Sequence, residues 1–348
     1  MSHRKQNFFS IAAALMLGAA AGPSAQTRIA QHLTVGPEGK GDFRTVQEAV
    51  DHASPADGAI IRIYPGSYHE KVSISKPGIF LVGTGRTPEE TVIVWGDSAK
   101  NAGSTFKSGT VTVEADRFEA ENLSIVNTWW QDHPAAEERS QAVALQLDSD
   151  RAVLDRVRIL SGQDTLYANS HSCRGELSAP CRADRQLFND CFIEGNVDYI
   201  FGDAKAVFNG CELHSRPGSG VMITAQSRHS PLEDSGYYML HCRVTGENQG
   251  NRIALGRPWR DYSTVLFYDT EMVQKIDGPG WLEWGDRLKT STYREYKSHG
   301  AGVNGGNRSV VYSNLTSEEE LKLSANALLA GDDTWDSMSQ VQKLRLMV

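Results

Sequence analysis

One short pattern recurs along this chain, and it limits what the chain can fold into more than any other feature does. Residues 118–125 (Phe-Glu-Ala-Glu-Asn-Leu-Ser-Ile) resemble residues 153–159, and the pattern returns at 187–193, 207–213, 238–244 and 266–272. Each copy ends on a small or apolar residue, one variable residue, then Ile, Leu, Val or Met. These pairs are Leu123/Ile125, Val157/Ile159, Cys191/Ile193, Cys211/Leu213, Cys242/Val244 and Thr270/Met272. Spacings of roughly 20 to 34 residues are too irregular for leucine-rich repeats or a propeller, which carry their own signatures. They suit a parallel β-helix whose coils carry insertions. In such a solenoid equivalent strands stack rung on rung, ~4.8 Å apart, so equivalent positions become vertical neighbours.

The rest of the sequence agrees with an all-β solenoid. Short runs rich in Val, Ile, Phe and Thr at 60–64, 79–82, 92–95 and 110–114 read as strands. A short helix is expected early, where Phe43, Val46, Ala49, Val50 and Ala53 keep helical spacing and Pro55 ends it. A C-terminal helical segment over about 316–348 opens near Ser317, where Ser317 and Glu320 form a candidate capping box.

The repeat register also makes predictions about side chains. Cys191, Cys211 and Cys242, three of the five cysteines, share one repeat position. A rung spacing of ~4.8 Å lies inside the Cα range of a disulfide, so Cys191 with Cys211 is the first expectation. Cys173 and Cys181 lie in an inserted loop that they could close, which leaves Cys242 as a buried small hydrophobe. Seven residues beyond Val157 and seven beyond Cys191 stand Asp164 and Asp198. They are expected one above the other on adjacent rungs. Two carboxyls that close cannot both ionise comfortably, so one pKa rises and the pair titrates as a unit. One group can then act as nucleophile while the other keeps a proton. The competing explanation is a chance alignment of two loop aspartates.

Composition narrows the partners. The first 25 residues carry His3, Arg4 and Lys5, an apolar run over 8–21 and small residues ending at Ala25, the pattern of a secretory signal peptide. Cleavage is expected after Ala21 or Ala25, with Pro23 disturbing both sites, and one domain is expected over 26–348. No stretch approaches the ~20 apolar residues of a spanning helix, and no Cys near the cut offers a lipid anchor. Without Arg4 and Lys5 the chain has 33 basic against 43 acidic residues. A nucleic-acid partner is therefore not expected, since the basic footprint is missing. Bulk attraction cannot hold an acidic polysaccharide either, so such a substrate has to be neutralised or gripped locally.

At these residues the sequence resembles the pectin methylesterases, and the exported bacterial type among them, over most of its length. The matching stretches are Gly66-Ser67-Tyr68-His69-Glu70, Gln141-Ala142-Val143-Ala144-Leu145, Gly162-Gln163-Asp164-Thr165-Leu166-Tyr167, Asp198-Tyr199-Ile200-Phe201-Gly202 and Leu255-Gly256-Arg257-Pro258-Trp259. A late Gly331-Asp332-Asp333-Thr334-Trp335 resembles the family's C-terminal segment. One such motif is weak; these, in this order, are specific. The resemblance implies a single-stranded right-handed parallel β-helix, a hydrolase without metal or cofactor, and methyl-esterified pectin as substrate, a polymer whose acid groups are neutralised. It also implies Asp198 as nucleophile and Asp164 as acid/base. The chain departs from the family in a longer stretch between the two, with Cys173 and Cys181 inside it.

The remaining roles follow from what each side chain can do. Gln141 and Gln163 carry neutral N–H donors suited to the oxyanion of a tetrahedral intermediate; the alternative is amide stacking between rungs. Arg257 offers a planar fork that can hold Asp198 ionised, or it belongs to a structural Arg-Pro-Trp turn. Trp259, Tyr167 and Phe201 are candidate sugar platforms, Trp259 foremost because it lies next but one to Arg257. Trp129 and Trp130 are left open as possible borders of the cleft. There is no G-x-S-x-G elbow, no H-E-x-x-H, no paired C-x-x-C and no Walker lysine in the glycine-rich stretch 300–306, which reads as a loop. A calcium-dependent polyuronate lyase and a non-catalytic glycan-binding β-helix remain as rivals. The paired glutamines have no role in β-elimination, and an export leader argues against an acyl-CoA thioesterase. The expected state is a monomer, secreted or periplasmic.

Overall fold

The computed structural model describes Met1 and residues 31–56, 58–217, 220–247, 253–276, 278–303 and 315–347. Apart from Met1, the leader expected over 1–25 lies outside the described residues, as does part of the 300–306 loop.

Three parallel sheets of ten, eight and seven strands run along the molecule, and the chain visits them in turn. One coil consists of Ala152–Asp155, Arg158–Leu160 and Leu166–Asn169; the next consists of Arg185–Asn189, Phe192–Gly195 and Ile200–Gly202. Their register pairs Val153 with Leu187, Ile159 with Ile193 and Leu166 with Ile200. Each strand thus bonds to the strand one full coil away, which is a parallel β-helix. The predicted repeat is this coil: Ile125, Ile159, Ile193, Leu213, Val244 and Met272 form one continuous register, and each is 0% exposed.

The corner between the first and second sheets carries a left-handed residue in six successive coils. Asn122, Arg156, Asp190, His241 and Asp269 take φ between 47° and 54° there, and Gly210 takes 65°. That conformation is easiest for Gly, Asn and Asp, which explains why most copies of the repeat carry one of them just before the anchor pair.

The early helix is Val46–His52, capped by Thr45 in a capping box with Glu48, and it buries Val46, Ala49 and Val50. It starts later than the apolar spacing suggests because the Thr45 cap, not Phe43, sets its first turn. The C-terminal segment forms Ser317–Leu321, Ala325–Leu328 and Ser337–Arg345. Its capping box is Thr316 with Glu319, one residue before the expected Ser317 and Glu320. Thr316 has the extended backbone a cap needs, whereas Ser317 is already helical.

These helices cover the outer face of the ten-stranded sheet. Ala325, Leu329, Val341 and Leu344 pack on a patch that includes Phe80, Val82, Val153, Leu187, Val207 and Leu240. Burial of each large apolar side chain contributes roughly 1.5–3 kcal/mol, so the tail is integral to the fold. Arg185 fixes it further. Its guanidinium binds Asp150 at 2.9 Å and Asp333 at 2.7 Å and lies over the ring of Trp335 at 5.1 Å, which gives the 331–335 motif a structural task.

The expected Cys191–Cys211 disulfide is not formed. Cys173 and Cys181 are bonded instead, while Cys191, Cys211 and Cys242 are buried free thiols. The register is right, but in-register parallel neighbours point their Cβ atoms the same way. Their Cβ separation then equals the ~4.8 Å rung spacing, beyond the ~3.5–4.5 Å a disulfide needs. Each thiol donates to a backbone carbonyl instead: Cys191 to Leu154, Cys211 to Phe188 and Cys242 to Phe208. The Cys173–Cys181 bond spans a sequence separation of 8, a closure worth about 2–3 kcal/mol in the chain-entropy account.

Candidate active site

The coil geometry brings the two predicted aspartates together. Asp164 lies at the corner between Arg158–Leu160 and Leu166–Asn169, and Asp198 at the same corner one coil on, between Phe192–Gly195 and Ile200–Gly202. The backbone N–H of Asp164 donates to the carbonyl of Val197 at 3.0 Å, so the two corners are in register. Both residues adopt the left-handed conformation, with φ of 61° and 50°. Asp tolerates it better than most side chains, so corner and chemistry call for the same residue type.

Two coils further, Arg257 follows the strand Ile253–Gly256, which pairs through Val221–Gln226 with the strand after Asp198. Its side chain reaches back across the intervening rung. Nε donates to Oδ1 of Asp198 at 2.9 Å and Nη2 to Oδ2 at 2.5 Å. This is the two-point geometry that holds a carboxylate ionised and oriented. Burial leaves the carboxyl of Asp198 above its ordinary value, although the hydrogen bonds and charge of Arg257 oppose that push, and it stays less raised than that of Asp164. Asp164 has no such fork. Burial first, then the charge of Asp198, holds its carboxyl well above the usual range, against weaker opposition from Arg257 and a hydrogen bond with Gln163. The environment therefore separates the pair into a carboxylate fixed by Arg257 and a carboxylic acid beside it.

Gln141 and Gln163 form an isolated parallel bridge, Gln163 directly before Asp164 on the same rung and Gln141 one rung earlier. Both line a cleft of about 420 Å³ together with Asp164, Asp198, Arg257, Phe201 and Trp259. All of the expected catalytic residues and two of the three expected platforms therefore share one opening. Tyr167 is outside that lining. It pairs in register with Phe201, stacks on it at 4.6 Å between centroids, and backs that ring from the adjoining hollow.

Four residues lining the cleft were not anticipated: Thr105, Phe106, Ala225 and Trp284. Trp284 matters most, since the guanidinium of Arg257 lies 4.2 Å from its ring centroid. Arg257 is thus held between a carboxylate and an aromatic face, a contact that favours a delocalised cation. Trp284 sits in a loop outside the repeat, so nothing in the spacing marks it.

The tryptophans left open have other tasks. Trp129 stacks on His133 at 3.7 Å. Trp130 is buried, donates from Nε1 to the Ser140 carbonyl at 2.8 Å, and packs against Gly162. A Cβ on Gly162 would lie 2.0 Å from a ring carbon of Trp130. Gly162→Ala is therefore expected to displace Gln163 and Asp164 and to lower kcat by about 10²-fold, the scale of an ångström-sized misplacement. Steady-state rates on an ester substrate measure this, and an unchanged kcat would show that the 162–164 segment is not pinned by Trp130.

Among the described residues, the one group of His, Cys and carboxylate side chains with ligand atoms within 4.8 Å of one another is Asp203, His229 and Glu233. It is not part of the cleft lining.

Comparison with known proteins places this geometry in context. The sequence profile of the family described as Pectinesterase matches residues 32–332. Pectinesterase QRT1 of Arabidopsis thaliana is 34% identical over 308 residues, covering 85% of this chain and 76% of that protein. Among solved structures, the pectin methylesterase from carrot superposes with a TM-score of 0.75 at 30% identity, over 94% of this chain and 98% of its own. Pectin methylesterase PemA from Erwinia chrysanthemi superposes with a TM-score of 0.70 at 27% identity, over 88% of this chain and 98% of its own.

Proposed function

The chain belongs to the pectinesterase family and hydrolyses methyl esters of pectin, and on that premise we propose that Asp198 is the nucleophile and Asp164 the acid and base of the reaction. The observation that carries this assignment is the unequal treatment of the two carboxyls: Arg257 grips Asp198 at two points, while Asp164, in the same cleft, has no such two-point contact among the described residues.

The steps balance as follows. A carboxylate oxygen of Asp198 attacks C6 of a methyl galacturonate, and the carbonyl oxygen becomes an oxyanion. As the C6–O bond to the methoxy group breaks, Asp164 gives its proton to the departing methanol. Asp198 is now acylated as a mixed anhydride. Ionised Asp164 takes a proton from water, the hydroxide adds to C6, and the carboxylate of Asp198 leaves. The free acid is released with Asp164 protonated again. Gln141 and Gln163 provide N–H donors to the oxyanion. Phe201 and Trp259 supply flat apolar faces for the pyranose rings.

We also infer a monomer over residues 26–348 without a membrane anchor, acting in the periplasm or outside the cell. The leader-like composition of the first 25 residues supports the compartment. Among the described residues no helix is long and apolar enough to cross a membrane.

Methanol release from esterified pectin tests the activity. Appearance of unsaturated products absorbing in the ultraviolet, abolished by a chelator, would point to a lyase instead. Gln141→Ala is expected to lower kcat by ~10²- to 10³-fold with little change in KM, the signature of a donor used in the transition state. A rise in KM alone would assign Gln141 to substrate binding.

A further inference from the structure

Beside the cleft, the residue after Ile200–Gly202 and the loop after Val221–Gln226 bring three ligand-type side chains together. One available atom from each of Asp203, His229 and Glu233 lies within 4.8 Å of the others. Glu233 opens the short strand Glu233–Asp234, which pairs with Cys181–Arg182 at the foot of the disulfide-closed loop.

Glu233 is 0% exposed. Its Oε2 accepts the backbone N–H of His229 at 2.9 Å and stands 2.8 Å from Nδ1 of the same residue. Its Oε1 is buried and has no hydrogen-bond partner. A buried carboxylate oxygen left unpaired costs free energy. The neighbouring guanidinium does not relieve it, because Arg228 directs its donors to the carbonyls of Ser230 and Pro231 and to Oγ1 of Thr264.

The imidazole is oriented as well. Nε2 of His229 lies 2.9 Å from the carbonyl oxygen of Gly175. A carbonyl only accepts, so Nε2 carries the hydrogen and donates it. In the neutral ring Nδ1 then presents a lone pair to a carboxylate oxygen, and two acceptors face each other unless a second proton or a metal ion joins them. Metal-bound histidines use this arrangement, one nitrogen on the ion and the other donating to a backbone carbonyl. Asp203 contributes a third donor. Its Oδ1 accepts the backbone N–H of Ser170 at 2.9 Å, which leaves Oδ2 available.

The geometry points to a divalent metal site of the zinc class, formed by Nδ1 of His229 and one carboxylate oxygen each from Asp203 and Glu233. One imidazole nitrogen with two carboxylates suits zinc, whereas calcium and magnesium favour oxygen-only shells. The two carboxylates balance the charge of the ion. Bound there, the metal ties three stretches of chain together: the residue after Gly202, the 227–233 loop and, through the Gly175 carbonyl, the disulfide loop inserted between the two reacting aspartates. Its role is structural and does not depend on the esterase assignment.

Zinc chloride titrated calorimetrically into untagged, chelator-dialysed full-length protein provides the test, alongside thermal melting with and without zinc. Wild type is expected to bind one equivalent and to melt at a higher temperature when loaded, while methanol release by the stripped enzyme stays unchanged. His229→Gln and Glu233→Gln are each expected to weaken binding by more than about 100-fold, beyond the cost of losing an outer-shell partner. His229 is only half-buried, so its variant decides the matter if Glu233→Gln folds poorly, with far-ultraviolet circular dichroism and methanol release as the folding controls. No saturable binding by wild type would overturn the site and leave a second proton on His229 as the bridging charge. The same one-equivalent isotherm in a folded His229→Gln protein would place the metal elsewhere and overturn it equally.

Discussion

Asp198→Ala is expected to release methanol from esterified pectin at least about 10⁴-fold more slowly than wild type, with binding of the polymer largely retained. Loss of a covalent nucleophile has effects on this scale or above, since the residual rate comes only from binding and oxyanion stabilisation. The variant keeps Gln141, Gln163, Phe201 and Trp259, so KM is expected to move far less than kcat. The fold should tolerate the change. Asp198 is at a corner, not in the stacked apolar interior, and Arg257 keeps its contact with the Trp284 ring at 4.2 Å. Asp198→Asn adds a sharper arm: it preserves shape and one of the two acceptors for Arg257 but removes the attacking charge. Activity within tenfold of wild type in either variant would remove Asp198 from the nucleophile role. Mass spectrometry of rapidly quenched wild-type enzyme separates the remaining options. A galacturonyl adduct on the peptide containing Asp198 is expected, and its absence alongside a large kinetic loss would recast Asp198 as a base acting on water.

The parts of this site that could be read from the sequence are those fixed by stacking. A β-helix forces equivalent residues into vertical ladders, so the constant offset from Val157 to Asp164 and from Cys191 to Asp198 translates directly into proximity. The same logic overreached at Cys191 and Cys211, because a ladder sets Cα spacing while a disulfide also needs Cβ atoms that turn toward each other. Tyr167 shows a similar limit. It belongs to the ladder of Phe201, and being one rung away places it behind the platform instead of on it. Arg257 was found through its motif, since its approach to Asp198 crosses the intervening rung by side-chain reach that no repeat encodes. Trp284, Phe106 and Thr105 come from the connections between rungs, where chain length and path vary freely. Their arrival at the cleft is a tertiary outcome with no local signal. The helical tail was legible in kind but displaced by one residue at its start, because Ser317 and Thr316 carry equivalent capping groups and only the backbone distinguishes them.

Asp164→Asn is expected to lower activity by about 10²- to 10⁴-fold, the range for loss of a general acid and base, and at the same time to stabilise the protein. The second effect follows from the sign of the linkage. Burial and the charge of Asp198 hold the folded-state pKa of Asp164 well above its ordinary value. The folded protein therefore binds this proton more tightly than the unfolded chain does. That preference stabilises the native state fully only below the unfolded pKa, and it is lost as pH rises through the folded pKa. Asparagine has the same shape and no proton to lose, so it escapes the cost of ionising beside Asp198. The melting temperatures of variant and wild type should nearly coincide in acid and diverge upward in favour of the variant as pH increases. In the proposed mechanism the wild type needs Asp198 ionised and Asp164 protonated, so a bell-shaped dependence of kcat/KM on pH is expected. The alkaline limb belongs to Asp164 and should vanish from the residual activity of Asp164→Asn. A variant that melts below wild type at alkaline pH, or that retains the alkaline limb unchanged, would show that Asp164 is not the group holding the proton.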